Sequence, residues 1–180
     1  MTHRTDSTDP ADPADRGKPR ARAYLGTEPS RFYDELEVGD IFEHRPGRTI
    51  SEADNTWFSL LTMNPQPLHI DAEYSSRTEF GERLVNSCLT LSILVGLSVR
   101  DLSYKTIANL GWNDVRLTAP VFAGDTIYAA SEVLAKRESK SRPAQGIVTV
   151  RTIGRKGDGT EFMSFERSFL LPIRTDARNG

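Results

Sequence analysis

The rhythm of apolar and polar positions divides this 180-residue chain into segments of different kinds. Residues 1–23, MTHRTDSTDPADPADRGKPRARA, carry almost no apolar side chains. A segment with nothing to bury does not offset the entropy of ordering, so a disordered tail is expected there. TDARNG at 175–180 reads alike, which leaves one domain over 24–174. ELEVGD turns into a strand at DIFEHR, where Ile41 stands between polar neighbours. In TISEADNTWFSLLT (49–62), Ala53, Trp57, Leu60 and Leu61 recur at helical spacing, which predicts an amphipathic helix with those residues inward. Thr49 or Ser51 can cap it, Asp54 sits three after Ser51, and Pro65 stops it. DAEYSSRTEFG (71–81) suits a short helix capped by Asp71 and closed by Gly81.

Residues 86–103, NSCLTLSILVGLSVRDLS, are apolar nearly all round and hold no proline. A buried strand could show the same composition, but the length favours a helix buried on most sides. From 105 onward the period changes to two. TIANLGWNDVRLTAP, DTIYAASEVLAKRES, GIVTVRTIGRKGDG and TEFMSFERSFLLPI read as four strands, separated by PVFAGD, SRPAQG and KGDG. Asp158-Gly159 is a hairpin signal. The expected class is α+β, with an antiparallel sheet wrapped around one long central helix.

Charge and composition narrow the function. A net charge of -2 and a pI near 6.0 argue against a partner bound by phosphate neutralisation, so no nucleic acid is expected. The longest apolar run, residues 88–99, is too short to span a bilayer, which takes roughly 20 residues. No apolar leader stands at the N-terminus, and a cytoplasmic protein is expected. A single cysteine, Cys88, allows no internal disulfide and no cysteine-rich zinc site; it reads as a small buried hydrophobe, and no metal is expected.

LLTMNPQPLHID (60–71) holds the polar pair Asn64 and His69. Taken alone, a histidine after a helix is a structural hydrogen-bonder, and Asn before Pro is a helix stop. Of the other histidines, His3 lies in the tail and His44 in a strand, neither with a partner visible in the sequence. Trp57, Phe58 and Trp112 read as core or interface.

Three motifs together change that reading. NPQPLHID, FGERLVNSCLTLSILVGL (80–97) and VRLTAPVFAGDTI (115–127) resemble the signatures of the MaoC-like dehydratases, the hydratase branch of the hot-dog fold. The likeness covers about residues 31–173, and the TMNPQPLH and NLGWNDVRL variants are similar to a subgroup associated with mesaconyl-CoA, itaconyl-CoA and β-methylmalyl-CoA. It implies a hydratase or dehydratase of a short branched or dicarboxylic enoyl-CoA, with the CoA thioester as substrate and no cofactor. His69 would be the acid/base and Asn64 would position water. Ser87, at the start of the central helix, would offer its backbone N–H to the thioester oxygen or cap the helix. Asn86, Ser92 and Arg116 are the expected substrate-binding residues, and a homodimer or dimer of dimers the expected assembly. The departures are Asn64 where the family has Asp, Met63 and Ser87 where it has glycines, and Val95 where some relatives have serine, with Ser92 one turn earlier. They leave two alternatives open: a non-catalytic subunit paired with an active MaoC-like chain, or an acyl-CoA thioesterase.

Overall fold

The computed structural model describes residues 21–23, as backbone, and 31–174. Within it, one sheet curls around one helix. The strands are β1 (Ala21–Ala23), β2 (Ile41–Thr49), β3 (Ala108–Leu117), β4 (Thr126–Glu138), β5 (Gln145–Lys156) and β6 (Glu161–Pro172), in the order β1-β2-β4-β5-β6-β3. All neighbours among β2–β6 pair antiparallel, as the alternating pattern requires. β1 departs from the expectation for 1–23: its three residues pair in parallel with Ile41–Glu43 on the open edge of β2, where unpaired backbone groups are available. Residues 1–20 and 175–180 lie outside the described residues, and so do the tails expected there.

The helices are α1 (Glu52–Leu61), α2 (Pro67–Ile70), α3 (Ala72–Ser76) and α4 (Ser87–Ser98), the last running on as a π-helical turn, Val99–Ser103. Ser51 and Asp54 form the capping box of α1, the Ser51 hydroxyl accepting from the Asp54 N–H and the Asp54 carboxylate from the Ser51 N–H. Asp71 caps α3, which ends at Ser76 rather than Gly81; turns fill the interval. The hairpin at Asp158 joins β5 to β6, the carboxylate accepting from the Thr160 N–H.

α4 lies in the concave face of the sheet. Leu89, Ile93 and Leu94 pack with Ile50, Ile127, Ala129, Phe162 and Phe165, while Leu36, Phe42, Leu102, Val133, Val148 and Phe169 form a second apolar cluster toward the other end. Gly154 lets α4 approach: a Cβ there would stand 2.6 Å from Leu94 Cδ1 and 2.7 Å from Phe162 Cζ.

Between the two clusters runs a polar layer. His44 is 0% exposed; its Nδ1 is 2.5 Å from Asp101 Oδ2 and its Nε2 2.8 Å from Ser131 Oγ, which in turn is 2.8 Å from Thr152 Oγ1. Arg167, also buried, donates to the hydroxyls of Ser98 and Ser103, and burial pushes its guanidinium down to about 10. His44 therefore has partners, from segments 57 and 87 residues away.

Two expectations about faces are corrected. In α1 the apolar stripe points outward: Trp57, Leu60 and Leu61 are 65%, 61% and 77% exposed, and Ala53 is exposed as well. The buried residues are Asn55 and Ser59, one turn apart, with Phe58 half-buried against the core. Asn55 meets backbone groups of the segment 69–86 on that inward face and bonds to three of them, while the buried Ser59 hydroxyl has no hydrogen-bond partner among the described residues. In α4, Cys88 is exposed, because Cys88, Ser92 and Gly96 form the one stripe that the sheet leaves uncovered. Trp112 is exposed on the edge strand β3.

Candidate functional site

The end of α1 sets the site up. Thr62 caps the helix, and Met63 follows with φ 54°, a left-handed conformation that glycine adopts freely and methionine does not. Asn64 then makes a tight turn, its Oδ1 accepting from the Gln66 N–H at 3.0 Å. Pro67 opens α2 at a position where a missing N–H costs nothing, and one short turn carries His69 inward.

There His69 Nδ1 lies 3.0 Å from the backbone oxygen of Leu84. A carbonyl only accepts, so Nδ1 carries the proton, and Nε2 is the basic nitrogen of the neutral ring. The backbone between Leu84 and α4 is held in turn by Val85 N–H donating to Val121 and by Leu84 N–H donating to Leu68.

His69 lines a cavity of about 380 Å³. One wall is Phe80, Leu84 and Val85; another is the β3–β4 connection from Leu117 to Val121; Phe162 closes the floor, and Ser87 and Thr90 of α4 complete it. Gly124, with φ 97°, shapes that connection, where Asp125 accepts from the Phe122 N–H. The wall is mostly apolar, and its polar side chains are His69, Ser87, Thr90 and Thr118. Thr90 and Thr118 spend their hydroxyl protons on Ser87 O and Glu161 O. Ser87 is the first residue of α4, so its N–H is one of those an α-helix leaves without an in-helix partner. The wall thus combines a tautomer-fixed imidazole, backbone N–H at a helix start, and a greasy slot.

Of the six residues expected at the site, the fold brings two, His69 and Ser87, to this cavity. Asn64 stands outside its wall, half-buried, with its carbonyl oxygen engaged in the turn. Asn86 is the cap of α4, accepting from the Cys88 N–H at 3.0 Å and 3% exposed, so its side chain is turned to the helix and not to the cavity. The capping half of the expectation for Ser87 therefore passes to its neighbour. Ser92 donates to Cys88 O and lines a different groove with Arg48 and Phe58. Arg116 is 65% exposed on β3, 2.8 Å from Asp114, and pairs there instead of at the cavity.

One residue of the site escaped the sequence reading. Asn55, on the inward face of α1, donates its two amide hydrogens to His69 O (3.1 Å) and Leu84 O (2.9 Å) and accepts from the Asn86 N–H at 2.9 Å. The available signal was an asparagine in the interior of a helix, a position that disfavours it unless its side chain has work elsewhere. Among the described residues no three His, Cys, Asp or Glu side chains gather to hold a metal ion.

Comparison with known proteins identifies the family and the fold. A family model described as "MaoC like domain" matches residues 35–156. Mesaconyl-CoA hydratase of Haloarcula hispanica is 33% identical over 151 residues, which make up 83% of this chain and 42% of that protein. β-Methylmalyl-CoA dehydratase of Chloroflexus aurantiacus is 36% identical over 128 residues, 69% of this chain and 35% of the relative. The chain spans less than half the length of these two curated relatives. A Mycobacterium tuberculosis protein described as a double hot-dog fold superimposes with a TM-score of 0.75 over 84% of this chain and 47% of its own, at 24% identity, which shows the fold. With the sheet, the central helix and the family match over 35–156 in agreement, the chain belongs to the family of MaoC-like domains.

Proposed function

We propose that this chain adds water across the α,β double bond of a short enoyl-CoA, or removes it from the 3-hydroxyacyl product. The observation that carries the reading is His69, its Nδ1–H donated to Leu84 O, lining an apolar cavity beside the first N–H of α4. The two relatives named above act on thioesters of this class, which supports it further.

In the hydration direction, Nε2 takes a proton from water as the oxygen attacks the β-carbon. The electron pair of the double bond moves onto the thioester oxygen, which the Ser87 N–H and the positive end of α4 stabilise. His69 then returns the proton to the α-carbon, so water and the thioester suffice and no cofactor enters. Asn64 holds water through its NH₂ or the remaining lone pair of its carbonyl oxygen, which already accepts from the Gln66 N–H; a water between Asn64 and His69 is the contact this role requires. A thioesterase of this fold would want a carboxylate in the wall, and the residues lining the cavity offer none.

Two copies are expected to work together. β3 is an edge strand that exposes Leu110, Trp112, Val115 and Leu117, and Leu117 also lines the cavity, so a partner on β3 would cover its mouth. The relatives' double length fits two such units.

The test is a screen of crotonyl-, mesaconyl- and itaconyl-CoA with the purified chain, following enoyl absorbance, alongside light scattering at micromolar concentration. Turnover by a dimer supports the reading. Turnover only after a second MaoC-like chain is added would make this a partner subunit, and a monomer would remove the proposed assembly.

A further inference from the structure

Asn55 makes three hydrogen bonds with one side chain, and each ends on a piece of the machinery. It is 2% exposed and sits on α1, away from the cavity wall. One amide hydrogen goes to the backbone oxygen of His69. The other goes to Leu84 O, the same oxygen that receives the His69 Nδ1–H. Its carbonyl accepts from the N–H of Asn86, the cap of α4 and the residue before Ser87. The amide has two donors and is using both.

We propose that Asn55 is the positioning residue for the acid/base chemistry: it fixes the tautomer and placement of His69 through the Leu84 carbonyl, and ties that base to the start of α4 where the thioester oxygen sits. This rests on the function proposed above. The physical reasoning is local. Leu84 precedes α4 in a loop, and its oxygen is held from one side by Nδ1–H and from the other by Asn55. Without Asn55, the Leu84–Val85 peptide keeps its anchor only on the other side, Val85 N–H on Val121 O, and Leu84 O can shift out of line with Nδ1, which weakens the acceptor that keeps the proton there. The His69 backbone and the Asn86 N–H lose their shared anchor at the same moment. A misplacement of about an ångström at the reacting atoms can cost on the order of 10²-fold in rate. No isosteric replacement does the same work: aspartate has no donor and would set a carboxylate against two carbonyl oxygens, and leucine of similar size has no polar group.

The experiment uses the full chain, the variants Asn55→Ser and Asn55→Asp, and each of them combined with His69→Ala. The first readout is the ¹⁵N chemical shift of the two His69 ring nitrogens as a function of pH. In the unaltered chain the neutral ring is expected as the Nδ1–H tautomer, and in Asn55→Ser as a mixture with Nε2–H. The second is kcat and KM on the best enoyl-CoA. Asn55→Ser should lower kcat by about 10–10² while changing KM much less, Asn55→Asp should lower it further, and both losses should be clearly smaller in the His69→Ala background, where only the tie to α4 remains to be lost, although the melting temperature falls equally in both backgrounds. An Nε2–H tautomer in the unaltered chain overturns the proposal even if no variant folds. An unchanged tautomer in Asn55→Ser overturns it too, as does an equal loss of kcat without His69. The tautomer readout needs no turnover: a chain with no hydratase activity whose His69 responds to Asn55 would refute the function and keep the positioning role.

Discussion

Asp101 holds the imidazole of His44 at 2.5 Å inside the core, although 57 residues separate them. The carboxylate comes from the π-helical turn after α4, and the ring comes from β2. Removing the ring leaves the buried Asp101 carboxyl without that partner, and a buried polar group stranded in this way costs about 1–3 kcal/mol or more. His44→Leu is therefore expected to be destabilising in denaturant unfolding. The double variant His44→Leu/Asp101→Leu should lose clearly less than the sum of the two single losses. Strict additivity would show that the pair is not coupled.

His69→Ala is expected to lower turnover about 10²–10⁴-fold while moving stability by only about 1 kcal/mol, the worth of its hydrogen bond to Leu84. Asn64→Ala should cost less. Asn64→Asp restores the acidic residue usual in the resembled family; activity on a dicarboxylic thioester should fall through charge repulsion while activity on crotonyl-CoA holds or rises. Steady-state kinetics on both substrates decide the matter, and full activity in His69→Ala would remove the acid/base assignment.

Gly154→Ala places a methyl 2.6 Å from Leu94 Cδ1. Overpacking of this kind costs about 1–3 kcal/mol. Shortening the opposing side chain with Leu94→Val should return part of that loss in the double variant, measured by thermal unfolding. If Leu94→Val only adds to the damage, the contact with Phe162 dominates.

The cap of α1 carries a pH dependence. Hydrogen bonding from the Ser51 N–H, foremost, holds the Asp54 carboxyl below its ordinary 3.8, with Arg48 adding to the effect. A carboxyl lowered in the folded state binds fewer protons there than in the unfolded chain. Its stabilisation is thus complete above the ordinary value and is lost as pH falls through the lowered one. The stability gap between the unaltered chain and Asp54→Asn should be flat near neutrality and close in acid. Ser51→Ala should cost about 0.5–2 kcal/mol at neutral pH.

Much of the architecture was legible because strands with one buried face alternate and a wrapped helix does not. Ile127, Ala129, Ser131 and Val133 show that alternation along β4, and 86–103 shows its absence. The direction of α1 was not legible. Helical spacing of Trp57, Leu60 and Leu61 reads as a core face, and only the fold reveals that backbone groups near His69 need Asn55 there. At the site, His69 and Ser87 were named through the resemblance to the family's motifs, whereas Asn55 there, and the His44–Asp101 pair in the core, depend on segments that meet only in three dimensions.

The polar layer has a consequence for how the chain chooses among near-identical sheets. Moving one strand by a single residue exposes its whole apolar set, so alternation already forbids that error. Moving it by two keeps every side chain on its proper face, and alternation is blind to it. In the native pairing Ser131 stands opposite Thr152, and His44 reaches Ser131 from β2. A two-residue slip between β4 and β5 would set Thr152 opposite Ala129 or Val133 instead. It would leave the buried Thr152 hydroxyl without Ser131, at roughly 1–3 kcal/mol, while Ser131 keeps His44. His44, Ser131, Thr152 and Arg167 thus act as index marks along strands whose apolar residues are otherwise interchangeable by translation.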